Sequence, residues 1–281
     1  MKISVSMLSA YLFCTRKLFL EQVLALKEPP KESTALGSLR HSVYNSINRS
    51  EERIVSSIAE KIQYSQLISS YKLFYSNILR EQIIKNKPSL RSFNLDLAGV
   101  FRKTWPLILS EAESRSNNVF SFIQQHNVYG KELWERLTPK ILSEQKIESE
   151  LLQLKGIIDR IEIYDTGYVP VELKTGKMPK EGVWPGHRIQ IAAYAMLIEE
   201  SYKTSVKEGL IRYLDANETR QIAINPFMKE EIRQITSEIH ELLKDASLPN
   251  YCQNKNKCVN CGLRSTCYDE EKVTTMLSEM Q

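Results

Sequence analysis

Three residues near the middle of the chain, Asp159, Glu172 and Lys174, have the types and spacing of a metal-dependent hydrolytic site. Two neighbouring carboxylates repel each other unless a cation lies between them, and oxygen ligands favour Mg²⁺ or Mn²⁺. Such an ion could polarise a scissile phosphate and activate a water, while the lysine orients that water or offsets negative charge. The pattern therefore favours phosphodiester hydrolysis. In the alternative interpretation, Glu172 and Lys174 form a solvated cross-strand pair and Asp159 only ends a strand.

A predicted hairpin carries these residues. Segments Ile157–Tyr164 and Tyr168–Lys174 are rich in β-branched residues and flank an Asp-Thr-Gly turn. If the Asp and Thr form a two-residue loop, Asp159 lies opposite Glu172, at the distance of about 5 Å typical of facing residues. A bulge at Gly167 would instead shift the register by one residue.

Two further elements carry residues that could complete such a site. A helix predicted from His187 to about Glu200 follows the lysine strand and presents Gln190 and Tyr194 on one face, since they are four residues apart. The amide could hold a metal-bound water or a phosphate, and the tyrosine could support it; the alternative is two boundary residues of an apolar helix. His41 could complete the metal shell if its helix packs over the carboxylates, and is otherwise structural.

The chain has five cysteines, an odd number that suits metal binding in a reducing compartment better than disulfides. Four of them form the tail pattern Cys252-x5-Cys258-x2-Cys261-x5-Cys267. They could bind zinc, although a zinc ribbon uses two close pairs and this tail has one. The other interpretation is an iron–sulfur cluster held by Cys14 with Cys258, Cys261 and Cys267, which leaves Cys252 spare and clips the first helix to the tail.

The remaining periodicity predicts an α/β protein with strands and helices in mixed order. A first helix spans 6–26 with Ser6 as its cap, a second spans 33–48, and strand signals begin at about Ile147. Asn117 and Asn118 suggest a loop within the helical block. The predicted organisation is N-terminal helices at 1–50, a helical insertion at 51–143, a core at 144–247 and a cysteine-rich tail at 248–281.

Composition allows a nucleic-acid partner without requiring one, because the net charge of the 281 residues is only +4. No apolar run approaches the roughly 18 residues that span a bilayer, so we expect no membrane association. The short apolar stretch at 1–13 is diluted by serines and lacks a small-residue cleavage site. We therefore expect a mature protein of the cytoplasm.

Taken in order, these motifs resemble the RecB-like nucleases of the PD-(D/E)xK superfamily, and most of all their iron–sulfur branch, the CRISPR-associated exonucleases. Related domains occur in AddB-type helicase–nucleases. The resemblance covers residues 1–50 and 145–270, with Thr15 standing where proline commonly follows the first cysteine. It is carried by Tyr-x-x-Cys14-x-Arg-Lys, Gly-x-x-x-His41, Gly-x-x-Asp159-Arg, Glu172-x-Lys174, Gln190-x-x-x-Tyr194 and the tail cysteines.

The resemblance implies a restriction-endonuclease-like core with a mixed sheet, and a DNase that needs Mn²⁺ or Mg²⁺. It implies His41, Asp159 and Glu172 as ligands of that ion, Lys174 as the catalytic lysine, Gln190 and Tyr194 as supporting residues, and a cluster, expected to be 4Fe–4S, on Cys14, Cys258, Cys261 and Cys267. The implied substrate is single-stranded DNA, cut from the 5′ end, and the implied role is trimming DNA for CRISPR spacer acquisition with integrase proteins. The alternatives are a repair or recombination nuclease, a non-catalytic DNA-binding assembly module and a zinc-binding interaction protein.

Overall fold

A mixed six-stranded sheet with helices on both faces forms the centre of the protein in a computed structural model, which describes residues 1–245 and 247–279. The strands run in the order β1-β3-β4-β5-β6, and β2 pairs with β3. The β4–β5 pair is parallel and is connected by a helix, while β3–β4 and β5–β6 are antiparallel. The predicted α/β class is confirmed. The strands are β1 Ile3–Ser4, β2 Lys140–Ser149, β3 Leu154–Tyr164, β4 Gly167–Lys174, β5 Glu208–Tyr213 and β6 Glu218–Ala223.

Twelve α-helices and one short 3₁₀ helix, Leu214–Ala216, belong to the described residues, and none of them is long and apolar enough to cross a membrane. The helices are α1 Val5–Phe13, α2 Thr15–Gln22, α3 Glu32–Ser56, α4 Tyr64–Lys85, α5 Lys87–Arg91, α6 Leu97–His126, α7 Gly130–Arg136, α8 Pro185–Tyr202, α9 Pro226–Asp245, α10 Lys255–Val259, α11 Arg264–Cys267 and α12 Glu270–Ser278.

The β3–β4 hairpin has the predicted register. Tyr164 pairs with Gly167, which leaves a two-residue loop and no bulge, and the ladder ends with Arg160 opposite Val171. The next residues on the two strands are Asp159 and Glu172. Because successive side chains of a strand point to opposite faces, the carboxylates project to one face and the arginine to the other.

Each face of the sheet has its own apolar core. Helices α1, α8 and α9 cover one face, where Leu8, Ile191 and Ile232 are fully buried. Helices α3, α4, α6 and α7 cover the other face and pack against Val171 and Leu173 of β4. The helical block of the sequence is therefore a second layer against the sheet. A small third cluster joins α2 to the tail.

The prediction of one helix over 6–26 was wrong. Ser4, not Ser6, caps α1 by accepting the backbone N–H of Met7 at 3.3 Å. The helix ends at Phe13, and Cys14 has an extended backbone with its sulfur accepting the N–H of Lys17 at 3.4 Å. The thiol therefore caps the second helix, which the apolar periodicity alone could not reveal.

Two predictions about the helical block were also wrong. Asn117 and Asn118 lie inside the 30-residue helix α6, because packing along α4 overrides their preference for turns. Strand β2 begins at Lys140, seven residues before the predicted start at Ile147. The residues in between are half-buried beside β3, so their mixed polarity hid the strand.

Candidate active site

His41 of α3 and Asp159 of β3 are in contact. Atom Nδ1 of His41 lies 3.3 Å from Oδ1 of Asp159, and Oδ2 of the aspartate accepts the backbone N–H of Leu173 at 2.9 Å. The second contact fixes the aspartate of β3 to the strand that carries the other carboxylate. The packing of the His41 helix over the carboxylates, on which its predicted role depended, is therefore present.

A third carboxylate, Glu144 of β2, joins this pair. One ligand atom each of His41, Glu144 and Asp159 lies within 4.8 Å of the others. The backbone of Glu144 is left-handed, with a φ of 50°, in a strand that is otherwise regular. Such conformations cost of order 1 kcal/mol or more for residues other than glycine and cluster at functional sites. Sequence reasoning missed Glu144 because it placed the start of the strand at Ile147.

Glu172 is buried at the centre of the site, with 4% of its surface exposed. Its Oε1 accepts hydrogen bonds from Lys174 Nζ at 2.8 Å and Gln190 Nε2 at 2.6 Å. Its Oε2 is also buried and has no hydrogen-bond partner among the described residues. Burial, and next the charge of Asp159, raises the pKa of this carboxyl to about 7. A buried carboxylate oxygen without a partner is a position that a cation would satisfy.

Lys174, Gln190 and Tyr194 form a continuous hydrogen-bonded row beside Glu172. The Lys174 ammonium donates to Gln190 Oε1 at 2.8 Å, and Gln190 Nε2 lies 3.1 Å from the Tyr194 hydroxyl. Burial, and next the charge of Glu172, raises the pKa of Tyr194, so its hydroxyl stays protonated. The structure thus brings together all six residues that the sequence assigned to this site.

Two motif glycines allow these elements to approach. A Cβ on Gly156 would lie 2.7 Å from the Tyr194 ring and 3.1 Å from Val5, so any side chain there would displace the tyrosine. A Cβ on Gly37 would lie 3.2 Å from the Thr175 hydroxyl, so glycine lets α3 lie close to the segment after β4. Packing therefore explains why glycine stands at the first position of the Gly-x-x-Asp159 and Gly-x-x-x-His41 motifs.

The charges of the site suit a divalent cation. The hydrogen bond to Asp159 is the main cause that raises the pKa of His41, and Glu172 and Glu144 add to it. Burial, and then Asp159, raises the pKa of Glu144. His41, Glu144 and Asp159 form a donor set of two carboxylates and one imidazole with excess negative charge, which fits Mg²⁺ or Mn²⁺. Glu172, which the sequence predicted as a ligand, lies outside the group whose ligand atoms are all within 4.8 Å of one another.

A second group of candidate ligands lies between α2 and the tail. All five cysteines line one small cavity and none forms a disulfide. Cys252 lines this cavity together with Cys14, so the cysteine predicted to be spare lies within the group.

Arg16 and Lys257 attach the tail to the N-terminal helices. The buried Arg16 donates to the sulfur of Cys267 at 3.3 Å and to the carbonyl of Pro249 at 2.7 Å. Lys257 Nζ donates to the carbonyls of Leu12 and Phe13 at 3.2 and 2.9 Å. The N-terminal helices and the tail are therefore in contact, as the predicted clip requires.

Comparison with known proteins agrees with this geometry. The profile of the family described as the PD-(D/E)XK nuclease superfamily matches residues 2–268. A CRISPR-associated exonuclease Cas4/endonuclease Cas1 fusion of Leptospira interrogans is 31% identical over 151 residues, which are 50% of this chain and 28% of that protein. CRISPR-associated exonuclease Cas4 of Rhodospirillum rubrum is 27% identical over 127 residues, 44% of this chain and 38% of that protein.

A longer but weaker similarity extends to a eukaryotic protein. DNA replication ATP-dependent helicase/nuclease JHS1 of Arabidopsis thaliana is 23% identical over 274 residues, 90% of this chain and 19% of that protein. The aligned part is well under two thirds of the length of each of these three relatives. The similarity therefore concerns a nuclease domain and not the whole of any of them.

Proposed function

We propose that this chain, which belongs to the PD-(D/E)XK nuclease superfamily, is a metal-dependent DNA exonuclease of the CRISPR-associated Cas4 kind. Its substrate in this proposal is single-stranded DNA, which it degrades from 5′ to 3′. The observation that carries the proposal is the buried Oε2 of Glu172, which has no hydrogen-bond partner among the described residues, while the other oxygen of this carboxylate is held by the Lys174 ammonium. A bound cation would satisfy that oxygen.

Each residue of the site has a distinct part in this proposal. The residues that would hold Mn²⁺ or Mg²⁺ are His41, Glu144, Asp159 and Glu172. When bound, the ion would polarise the phosphate and activate a water. Lys174, held by Glu172 and Gln190, offsets negative charge on the phosphate or orients the attacking water. Gln190 fixes the lysine and the carboxylate together, and Tyr194 fixes the amide.

The cysteine group belongs to the same proposal. Cys14, Cys258, Cys261 and Cys267 would hold an iron–sulfur cluster, of the 4Fe–4S type, that fastens the tail to α2. The cavity that the cysteines share and the hydrogen bond from Arg16 to Cys267 support it, because both hold the proposed ligands near one another.

Partners are proposed from the relatives. The Leptospira relative is a fusion with endonuclease Cas1, so we propose that this chain acts with integrase proteins of the same kind during spacer acquisition. The second candidate is a repair or recombination nuclease that works with a helicase. It is favoured by the JHS1 similarity, which extends over 90% of this chain and includes the helical block.

The test is digestion of single-stranded DNA, labelled at either end, with Mn²⁺. We expect the wild type to cut and Lys174→Ala to lose at least about 100-fold in rate, because it removes the charge beside the phosphate. Lys177→Ala, an exposed lysine three residues on, is the control and should cut normally. Release of the 5′ label first would give the polarity. Equal cutting by both variants would remove Lys174 from the mechanism, and no cutting by Mn²⁺-bound wild type would favour the assembly module.

A further inference from the structure

A cavity of about 860 Å³ opens beside the candidate metal site, between α3 and the segment after β4. Thr34, Ser38, His41 and Asn45 line it from α3, and their spacing places them on one helix face. The distance along the helix from Thr34 to His41 is about 10 Å. A row of small hydrogen-bonding side chains therefore leads along the cavity to a metal ligand.

Arg40 has a fixed place in this cavity. Its Nη1 lies 2.5 Å from Oδ1 of Asp215, and Oδ2 of Asp215 accepts the backbone N–H of Gly176 at 2.5 Å. One carboxylate thus holds the arginine next to His41 and also the segment that follows Lys174. Arg40 is mostly buried, with 14% of its side chain exposed, so the pair gives it a defined orientation.

The chemistry of the lining suits a sugar–phosphate backbone. Arginine, serine, threonine and asparagine are the side chains that commonly bind phosphate and sugar oxygens. The lining drawn from the described residues includes no Phe, Tyr or Trp, and its one imidazole, that of His41, is placed in the metal group. Of the two acidic residues in the lining, Glu144 belongs to the metal group and Asp215 is paired with Arg40. Contacts of this kind bind a strand without reading its sequence.

We propose that this cavity holds the backbone of the DNA strand, with Arg40 as a phosphate-binding residue and Asp215 as the carboxylate that pairs with Arg40 in the free protein and competes with the phosphate for it. The inference rests on the proposed nuclease function and adds the path of the substrate to it. The occupied stretch is the part of the strand adjoining the phosphate at the metal site.

The test is the salt dependence of binding to a fluorescent oligothymidylate, measured by anisotropy between about 50 and 200 mM KCl with Ca²⁺ in place of Mn²⁺. Arg40→Gln should weaken binding about 10-fold at the lower salt and reduce the slope of log K against log salt by about 0.7, one phosphate contact on a single strand. Arg53→Gln removes the same charge from the same helix, where Arg53 lies against Phe74, and should leave the slope unchanged.

Two further variants separate a charge effect from damage to the fold. Asp215→Asn keeps a side-chain oxygen for Gly176 but removes the competing charge, so it should tighten binding about two- to fivefold, which corresponds to about 0.4–1 kcal/mol. Arg40→Lys keeps the charge and should keep the wild-type slope. If Arg40 and Asp215 only stabilised the fold, Arg40→Gln and Asp215→Asn would both weaken the binding of the oligonucleotide.

The outcomes distinguish failure of this inference from failure of the proposed function. A wild type that cuts DNA, with an unchanged slope in Arg40→Gln or weaker binding in Asp215→Asn, would overturn the assignment of this cavity alone. A wild type that neither binds nor cuts single-stranded DNA would overturn both. An oligonucleotide of mixed sequence should bind as oligothymidylate does, and a preference of more than about 10-fold would also contradict backbone binding.

Discussion

Glu144 is the residue whose place in the site depends most on the tertiary structure. Asp159 and Glu172 follow from a hairpin whose register is set by a two-residue loop, so the sequence was sufficient to place them together. Glu144 depends on where β2 begins and on one left-handed backbone conformation. Neither follows from local periodicity, because the segment before Ile147 has no alternation of polar and apolar residues.

The first prediction concerns this residue. Glu144→Gln keeps the shape of the side chain and removes its charge, so we expect the dissociation constant for Mn²⁺ to rise about 10-fold or more in isothermal titration calorimetry. Glu148→Gln is the control, since that residue lies on the same strand but is exposed and pairs with Lys2 at 3.1 Å. Equal Mn²⁺ affinity in wild type and Glu144→Gln would exclude Glu144 as a ligand.

The second prediction concerns the motif glycine of β3. Gly156→Ala would place a methyl group 2.7 Å from the Tyr194 ring, so we expect the free energy of unfolding to fall by about 1–3 kcal/mol and the nuclease rate to fall with it. Urea unfolding measures the first effect. Gly186→Ala is the control, because a Cβ there meets Ser9 at an ordinary 3.4 Å. Unchanged stability of Gly156→Ala would show that the tyrosine can move without cost.

At the scale of elements, a buried carboxylate attaches the helical block to the sheet. Glu111 of α6 is 1% exposed and contacts Arg115 of its own helix, Arg160 of β3 and Arg212 of β5. Arg160 directly follows Asp159, so the same strand carries the candidate ligand on one face and this anchor on the other. The sequence predicted a helical block but not its attachment to the sheet, because the sheet partners of Glu111, Arg160 and Arg212, are 49 and 101 residues away along the chain.

The third prediction tests this anchor. Burial alone would raise the pKa of Glu111, but the three arginines outweigh it and hold the pKa far below its ordinary value. Arg115 and Arg160 keep Glu51 and Glu162 as partners, but Glu111→Gln leaves Arg212 without an ion pair among the described residues. We therefore expect it to lower the free energy of unfolding by about 3–5 kcal/mol in urea. Glu113→Gln changes an exposed residue of the same helix, 3.5 Å from Lys72, and should change stability by no more than about 0.5 kcal/mol.

Comparison of Glu111→Gln with the wild type also gives a pH test. Because the folded pKa of Glu111 is lowered, its contribution to stability is complete above the unfolded value of about 4.3 and is lost as the pH falls toward the folded value. Stability of the wild type should therefore decrease below about pH 4 more steeply than that of Glu111→Gln. Parallel pH profiles of the two proteins would contradict the charge assignment.

At the scale of the whole molecule, the first 22 residues join the nuclease core to the tail. Helix α1 packs on the sheet with α8, while α2 carries Leu20 into a small cluster with Leu263 and Val273 of the tail. The shared chemistry of the cysteines was enough to predict that these ends meet. The break at Cys14 and the burial of Arg16 could not be predicted, since both follow from contacts with a segment more than 230 residues away.

The last prediction follows from this connection. Cys258→Ala should purify without iron and with a lower Tm than the wild type, because the free energy of binding a cluster in the folded state is also free energy of folding. Iron analysis, visible absorption and thermal unfolding measure the two effects. Cys252→Ala is the matched control: if Cys14 and the other three tail cysteines hold the cluster, it keeps its iron and its Tm. Loss of iron from Cys252→Ala but not from Cys258→Ala would make Cys252 the cluster ligand and Cys258 the spare cysteine. A wild type that contains zinc and no iron would replace the cluster by a zinc site whose sulfurs draw closer together.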